Sequence, residues 1–524
     1  MRTGRGRILT SCTPPGNEDK LGSRGALGGG AKLQGGQRMR TATASPARRA
    51  RIAMLALLLG ALANALPARA DLYSALDTFK KGDYSSAFQQ FLALAKLGQP
   101  LAQLDVAYMY ESGQGTRQSD IHAYAWAVLA ARNGEAKGLK LSQQLLPTLA
   151  LAPGSRRIAA WITADYTPEA LERTLLPRKS PAAAPDPTQR GREQPCRPVK
   201  LYRPSFPLRE QMDGEQGRLL VAFSVLPDGT TRLPHVLFET PLPNRSDFEF
   251  LTRQSILRSR FPPRPGVGPV ECALYYQFVA SYLSASDYPQ LESYLHRARR
   301  HARAGDPMAA LVYGTMLAGL PQLHENRRAA LRWLVKAAQA GIAAGEFDTG
   351  ASLLTGWGMT GWGSASDIRK GLRWLRLAAA QNDPDAEALL AQWQLRGTPD
   401  LAAAQQAVLW LDQAAAQDND FGDLYLSAVL AAWPQPAIRN PERALLLEKK
   451  AFEDGTGVDP TGLEIRAAAH AAAGNFNRAV RSEREALAKA RDLHWNLAPL
   501  EQRLKRYEAR EPWYGNLLDY GAPG

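Results

Sequence analysis

The chain has 524 residues, 45% of them hydrophobic and 22% charged, with a formal net charge of +14. This length exceeds one compact core, so we expect two to four folding units. Residues 1–70 hold twelve Lys and Arg against two carboxylates, and the remaining excess of +4 is too small for a phosphate-binding surface. We therefore expect no nucleic-acid partner.

The N-terminal region has the pattern of a targeting segment. Arg48, Arg49 and Arg51 precede an apolar run over 52–66, which ends at the small-residue sequence Pro67–Ala70. This order of basic, apolar and small residues is typical of a secretory signal peptide. The run is about fifteen residues, whereas a bilayer-spanning helix needs roughly twenty.

We predict a signal peptide over 39–70, so that the mature chain begins at Asp71 and is periplasmic. An uncleaved segment, anchoring the protein in the inner membrane, is the alternative. Residues 1–38 are rich in Gly and Arg and lack periodicity. Since signal peptides begin close to their charged region, we predict that translation starts at Met39 and that 1–38 is a doubtful upstream segment.

A short pattern, Trp followed by Ala at the fourth and fifth positions, recurs along the chain and has a degenerate copy near Leu446. In a helix this spacing places one large and two small side chains on the same face, which permits close helix packing. Three successive steps measure 41, 36 and 36 residues, so the units are repeats. The repeat tryptophans are Trp126, Trp333, Trp374 and Trp410.

A second helix precedes the Trp helix in each unit. Residues 102–110 are helix-forming and end at Gly113 and Gly115, which permit the positive-φ turn after a helix. Asp120 then stands where it can cap the next helix. Stacked pairs of this kind form an α/α-solenoid, so the predicted fold is mainly α.

These residues resemble the Sel1-like repeat family, a relative of the tetratricopeptide repeats. The resemblance implies helical arrays over 71–175 and 286–515 that bind other proteins, with a looser tetratricopeptide-like pair over 466–492. The first array carries the closest match, at Tyr108, Gly113, Gly115, Asp120, Ala123, Trp126, Ala130, Ala131 and Gly134.

The residue composition and the predicted secondary structure change between the arrays. Residues 176–198 are proline-rich, which predicts an extended linker. Strand-forming residues follow over 219–226, and Pro227-Asp228-Gly229 is a turn signal before a second strand near 236–238. A helix over 248–257 and a last strand over 272–279 complete the segment.

Residues 199–283 resemble the TonB C-terminal domain. The resemblance implies a small α+β module, two helices on a short antiparallel sheet, that pairs an exposed strand with a partner peptide. We expect Tyr275, Tyr276 and Phe278 on the last strand to contact such a partner. The matching residues are Tyr202, Arg203, Pro204, Gly217, Arg218, Phe223, Ser224, Val225, Pro227, Asp228, Gly229, Val236, Phe248, Phe261, Pro262 and Pro263.

Two cysteines bracket this module, and a third, Cys12, lies in the doubtful upstream segment. Cys196 and Cys272 form an even pair in a chain that should reach an oxidising compartment, which favours a disulfide. Two isolated thiols are the alternative. Because no His or further Cys stands beside them at ligand spacing, we expect no metal site.

The sequence contains no P-loop, no His-Glu-x-x-His and no Gly-x-Ser-x-Gly, so we expect neither catalytic residues nor a cofactor. The most unusual loop is Gly-rich and carries Trp357 and Trp362. Two indoles there form either an exposed platform for a peptide or glycan, or part of the solenoid core.

The sequence predicts a non-enzymatic periplasmic scaffold. It would bind envelope proteins or extended peptides, but no small-molecule substrate, and would touch the membrane only through partners or an uncleaved signal. The alternative is a TonB-type energy transducer for outer-membrane transport. A cleavage site and a short, internal linker disfavour the transducer, and a cell-wall accessory role is a third possibility, by analogy with some Sel1-like proteins.

Overall fold

A computed structural model describes residues 71–150, 154–177, 196–207, 217–240, 247–266, 268–278, 289–319, 327–355, 365–397, 399–453 and 456–519. All of them belong to one compact unit, Pro67–Gly524. The predicted upstream segment 1–38, the signal peptide 39–70 and most of the 176–198 linker lie outside these residues. Within the described chain, no helix is long and apolar enough to cross a membrane.

The fold is mainly helical and begins with an N-terminal array of seven helices among the described residues. Aspartate side chains start the first two of them, since Asp71 and Asp83 accept hydrogen bonds from backbone N–H groups three residues on. The helices are α1 (Leu72–Lys80), α2 (Tyr84–Lys96), α3 (Pro100–Ser112), α4 (Asp120–Arg132), α5 (Ala136–Ala150), α6 (Ser155–Ile162) and α7 (Pro168–Thr174).

The turn between α3 and α4 confirms one prediction and corrects another. Gly113 and Gly115 both have positive φ, at 71° and 69°, as the sequence predicts. The prediction that Asp120 caps α4 is wrong, because Ser119 holds the N-cap position and its hydroxyl lies 2.8 Å from Nδ1 of His122. Asp120 is the first helical residue, where its carboxylate still faces the positive end of the helix dipole.

A ββαβ module follows, made of β1 (Gly217–Val225), β2 (Thr231–Thr240), α8 (Asp247–Arg258) and β3 (Val270–Phe278). Its antiparallel sheet has the order β2-β1-β3, so β1 is central. The prediction expected two helices on this sheet, and the described residues of the module contain only α8. β2 is longer than expected and includes Pro234, which lacks a backbone N–H and is tolerated because it stands unpaired in an edge strand.

The C-terminal array consists of helix pairs. Its inner helices, defined as those that face the module, are α10 (Pro307–Gly319), α12 (Ala343–Thr355), α14 (Pro384–Gln394), α16 (Asp420–Ala432) and α18 (Pro460–Ala472). Its outer helices are α9 (Pro289–Arg303), α11 (Arg327–Gln339), α13 (Ala365–Ala379), α15 (Leu401–Ala416), α17 (Pro441–Glu453) and α19 (Phe476–Asp492), and α20 (Ala498–Glu508) ends the array.

The two arrays pack directly against each other. The backbone N–H of Leu72 donates to the carbonyl of Ala340 at 3.0 Å, and Gln339 Nε2 donates to the carbonyl of Leu97 at 2.9 Å. The hydroxyl of Tyr73 donates to Asp306 at 2.7 Å. The start of the N-terminal array is therefore fixed to the turns that precede α10 and α12.

The module packs on the inner helices. Leu220 and Ala222 of β1 are buried in one apolar cluster with Tyr313 of α10 and Phe347 of α12. On its other face the sheet has its own core, in which Phe223 and Phe248 are 0% and 2% exposed. Both faces of the sheet are thus buried, one against α8 and the other against the array.

Candidate functional site

The face shared by the module and the inner helices begins at a bulge in β2. Ala222 pairs with His235 and Ser224 pairs with Arg232, so Leu233 and Pro234 together oppose the single residue Phe223. Leu233 has φ of +50°, which costs a non-glycine residue conformational energy. The bulge accommodates this strain and redirects the Leu233 side chain.

That side chain is buried in the array. Leu233 is 6% exposed and belongs to the apolar cluster of Leu395, Leu424 and Leu426, which lie on or beside α14 and α16. Burying a leucine contributes roughly 1.5–3 kcal/mol, enough to offset the backbone strain. Leu233 therefore anchors the module to the array.

A buried ion pair stands beside this anchor. Glu271 of β3 is 4% exposed and pairs with Arg396, which follows α14 and is 26% exposed. Ser224 on β1 donates its hydroxyl to Glu271 at 2.5 Å. Arg396 also stacks over the ring of Trp393, 4.0 Å from its centroid. The guanidinium is therefore held from both the array and the module.

The protonation states at this face follow from burial and charge. Burial alone would raise the pKa of Glu271, but Arg396 and the Ser224 hydroxyl outweigh it, and the pKa lies below its usual value. Burial lowers the pKa of His235, against the opposing effect of Glu271. The carboxylate is thus charged and the imidazole neutral near pH 7.

Two arginines, one on α8 and one just after it, extend the contact between the module and the C-terminal array toward the C-terminal end of the array. Arg253 lies 3.6 Å from Asp459, and both side chains are less than a tenth exposed. Arg260 donates a hydrogen bond to the carbonyl of Leu493. The module therefore spans the inner side of the array from α10 to the end of α19.

The inner helices also carry carboxyl groups with raised pKa values. Burial raises the pKa of Asp348 to about 8 with help from neighbouring aspartates, and that of Glu387 to about 7. Amide side chains of the following repeats bind several of these groups: Gln417 donates to Glu387 at 3.1 Å and Asn419 donates to Asp385 at 2.8 Å. Because the bonds join successive repeats, we interpret these carboxyl groups as structural.

Among the described residues, no group of His, Cys, Asp and Glu could hold a metal ion. His235, on the inner side, has surroundings that disfavour a metal ion. His235 stands edge-on to the ring of Phe421, with ring centroids 6.0 Å apart. Its surroundings combine that apolar contact with Arg253 and Arg396, and cationic neighbours disfavour a bound cation.

The repeat tryptophans lie in different environments. Trp126 is 3% exposed and stacks on Tyr166 with centroids 5.6 Å apart. Trp374 is fully buried, and its indole N–H donates to the carbonyl of Leu175 at 3.0 Å. Trp333 and Trp410 are partly buried among the apolar side chains of the C-terminal array. Trp126 therefore packs within the N-terminal array, whereas Trp374 joins the end of that array to α13.

The residues expected to contact a partner peptide on β3 are placed differently. Tyr276 and Phe278 are 6% and 3% exposed, and both lie in the core of the module, so the expectation that they contact a partner is corrected. Their strand alternation turns them toward α8. The backbone of Tyr275 is described, its side chain is not, and Trp357 and Trp362 lie outside the described residues.

The structure joins Cys196 and Cys272 in a disulfide, with Cα atoms 5.4 Å apart. Cys272 is on β3, next to Glu271, and is fully buried. The bond ties the segment that enters the module to the strand that carries the ion pair. It therefore closes a loop of 76 residues around the module.

Sequence reasoning missed the residues that fix the module to the array. Pro234 within a strand pattern was a signal for an edge strand or a bulge. No sequence signal identified Leu233 as the strained anchor, nor paired Glu271 with Arg396 across 125 residues. A long-range ion pair leaves no local pattern, whereas a repeat does.

A family model for the Sel1 repeat matches residues 100–135, 307–342, 349–383 and 384–419. No curated protein matches the chain. A solved Sel1 repeat protein from Oxalobacter formigenes aligns at 20% identity and a TM-score of 0.30, over 41% of this chain and 92% of that one. A protective antigen of uropathogenic Escherichia coli with an SLR fold aligns at 16% identity and a TM-score of 0.29, over 84% and 85%. The family-model matches fall in both helical arrays, and the chain therefore contains Sel1 repeats.

Proposed function

We propose that this protein is a non-enzymatic protein-interaction scaffold of the cell envelope, acting in the periplasm. One observation carries the proposal: the inner helices of the C-terminal array already hold a folded β-module through buried apolar contacts and ion pairs. An array of helical repeats presents an extended surface of this kind to protein ligands. The partners are envelope proteins or extended peptides.

The module supplies a second recognition element in this proposal. β3 pairs with β1 on one side and stands at the edge of the sheet, where an extended peptide can add as a further strand. Support comes from the resemblance to the TonB C-terminal domain and from the ββαβ order of the segment that carries it. The disulfide at Cys272 keeps this edge strand in place.

Photo-crosslinking from single positions in living cells tests the scaffold. A benzophenone amino acid at Trp161, which is 79% exposed, or at Tyr108, which is 42% exposed, should give discrete adducts with envelope proteins. The same variants kept from ultraviolet light are the control. If the exposed positions give no adduct beyond that control, the scaffold proposal is wrong.

The mass of the protein recovered from the envelope tests its location. We expect a mature chain that begins at Asp71, found in the periplasmic fraction. A chain that keeps residues 52–66 and sediments with inner membranes would favour the energy transducer instead. Peptides from residues 1–38 in the native protein would contradict a start at Met39.

A further inference from the structure

Charge is segregated between the two sides of the C-terminal array. The inner helices α12, α14 and α16 each carry two carboxylates and no Lys or Arg. The outer helix α11 carries four cationic residues and no carboxylate, and α13 carries four with one carboxylate. The neighbouring outer helix α9 carries four arginines, three of them exposed.

The repeat register places cations of successive outer helices in one row. The residue before each repeat tryptophan is Arg332 on α11, Arg373 on α13 and Leu409 on α15, and all three are exposed. Since the following tryptophans occupy equivalent positions, these side chains point to the same outer face. We call this set the outer row.

More cations surround the outer row. Arg369 and Arg376 lie one turn before and after Arg373 on the same exposed stripe of α13. Lys336 lies one turn after Arg332 and stacks over the ring of Trp333, 4.1 Å from its centroid. Within the described part of the chain, no carboxylate forms an ion pair with any of these five side chains.

The row then changes from basic to apolar. Leu409 is 56% exposed, and Leu446 on the next outer helix, α17, is 71% exposed, between the exposed Glu442 and Lys449 of the same helix. The described α15 carries a single charged residue, Asp412, which pairs with Arg443. A cationic stripe that continues into exposed leucines on one face matches a membrane interface, where cations meet headgroups and aliphatic side chains enter the acyl boundary.

We propose that this outer face binds an anionic phospholipid surface. An acidic protein would pair with the arginines but place charged groups against the exposed leucines. A phospholipid surface offers anionic headgroups to the arginines and acyl chains to the leucines. The module covers the inner side of the array, and the N-terminal array covers part of α11 and α13 through Gln339 and Trp374. Arg332, Arg373 and Leu409 remain exposed on the outer side. The proposal goes beyond the scaffold function, and it revises the expectation that this protein contacts membranes only through partners or an uncleaved signal.

Vesicle co-sedimentation tests the proposal. Because Pro67–Gly524 is one compact unit, a chain that begins at Asp71 reports on the array without the apolar run 52–66. We expect it to sediment with phosphatidylcholine vesicles that contain phosphatidylglycerol, but not with phosphatidylcholine alone. The double variant Arg332→Gln/Arg373→Gln should bind roughly tenfold to thirtyfold more weakly.

A matched pair on another outer helix is the control. Arg478→Gln/Arg481→Gln removes two exposed cations of α19, far along the array from the outer row, and should change binding by less than about threefold. Leu409→Ser/Leu446→Ser should also weaken binding, because insertion of the leucines contributes apolar burial. Circular dichroism of all three variants should match that of the parent chain.

Three results would overturn the proposal. The first is that the parent chain fails to sediment with phosphatidylglycerol vesicles. The second is that the control pair weakens binding as much as the outer-row pair does. The third is that the outer-row pair removes a crosslink to an acidic protein while the parent shows no vesicle binding, which would make that protein the occupant of this face.

Discussion

The ion pair between Glu271 and Arg396 offers the sharpest test of how the module is held. Replacing Arg396 with Gln leaves Glu271 on β3 without its cation, in a position where 4% of its side chain is exposed. The Ser224 hydroxyl remains as a donor but carries no charge. The variant should therefore loosen the module rather than the helical arrays.

The magnitude follows from burial. Removing one partner of a fully buried pair costs about 3–5 kcal/mol, because the other charge stays desolvated. Arg396 is 26% exposed, so water compensates in part, and we expect a loss of about 2–3 kcal/mol. An exposed pair of the same array, Arg443 with Asp412, should lose at most about 1 kcal/mol in the matched variant Arg443→Gln.

Amide hydrogen exchange of β3 measures the local opening free energy, and urea unfolding measures the whole unit. The pKa of Glu271 is lowered in the folded protein, so the stabilisation is present above the ordinary pKa of 4.5 and disappears as pH falls through the lower folded value. The difference between parent and Arg396→Gln should shrink accordingly. The double variant Glu271→Gln/Arg396→Gln should recover part of the loss. If the β3 amides of the Arg396→Gln variant exchange as slowly as those of the Arg443→Gln variant, the reasoning about the buried pair is wrong.

Three further predictions concern the arrays. The pKa of Asp348 is raised to about 8, so Asp348→Asn should stabilise the array by an amount that grows as pH rises from about 4 to 8, and thermal melts that show no such trend would contradict it. Trp374→Phe removes the indole N–H that binds a buried carbonyl and should cost about 1–3 kcal/mol in urea unfolding, with earlier proteolysis of the N-terminal array. A Cβ at Gly115 would lie 2.0 Å from the carbonyl oxygen of Tyr84, so Gly115→Ala should lower the melting temperature far more than Gly82→Ala, a site with positive φ and open space.

The arrays were predictable because their signals are local and repeated. Trp374, Ala378 and Ala379 define a packing face within six residues. The same pattern recurs along the chain at steps of 36 and 41 residues. Gly113 and Gly115 likewise require only their own turn. Stacking then follows, since a helix pair cannot bury its apolar face alone.

The position of the module was not predictable by the same means. Leu233 reads as an ordinary strand residue, and its role depends on a bulge that only the register with β1 reveals. Arg396 reads as a solvated cation at the end of a helix, and Glu271 as an outward residue of an edge strand. Each acquires its role from a surface formed by repeats that lie more than a hundred residues away.

The two sides of the array hold their ligands by different means. On the inner side the module is held by the buried Leu233 and by two ion pairs, Glu271 with Arg396 and Arg253 with Asp459. Cations on α11 and α13 favour an anionic ligand on the outer side. Because this cationic surface lies on one side of the array, it orients the array toward an anionic ligand, which a uniformly mixed surface would not do. The module, with its edge strand β3, and the phospholipid surface would then lie on opposite sides of the array, one on the inner helices and the other on the outer helices.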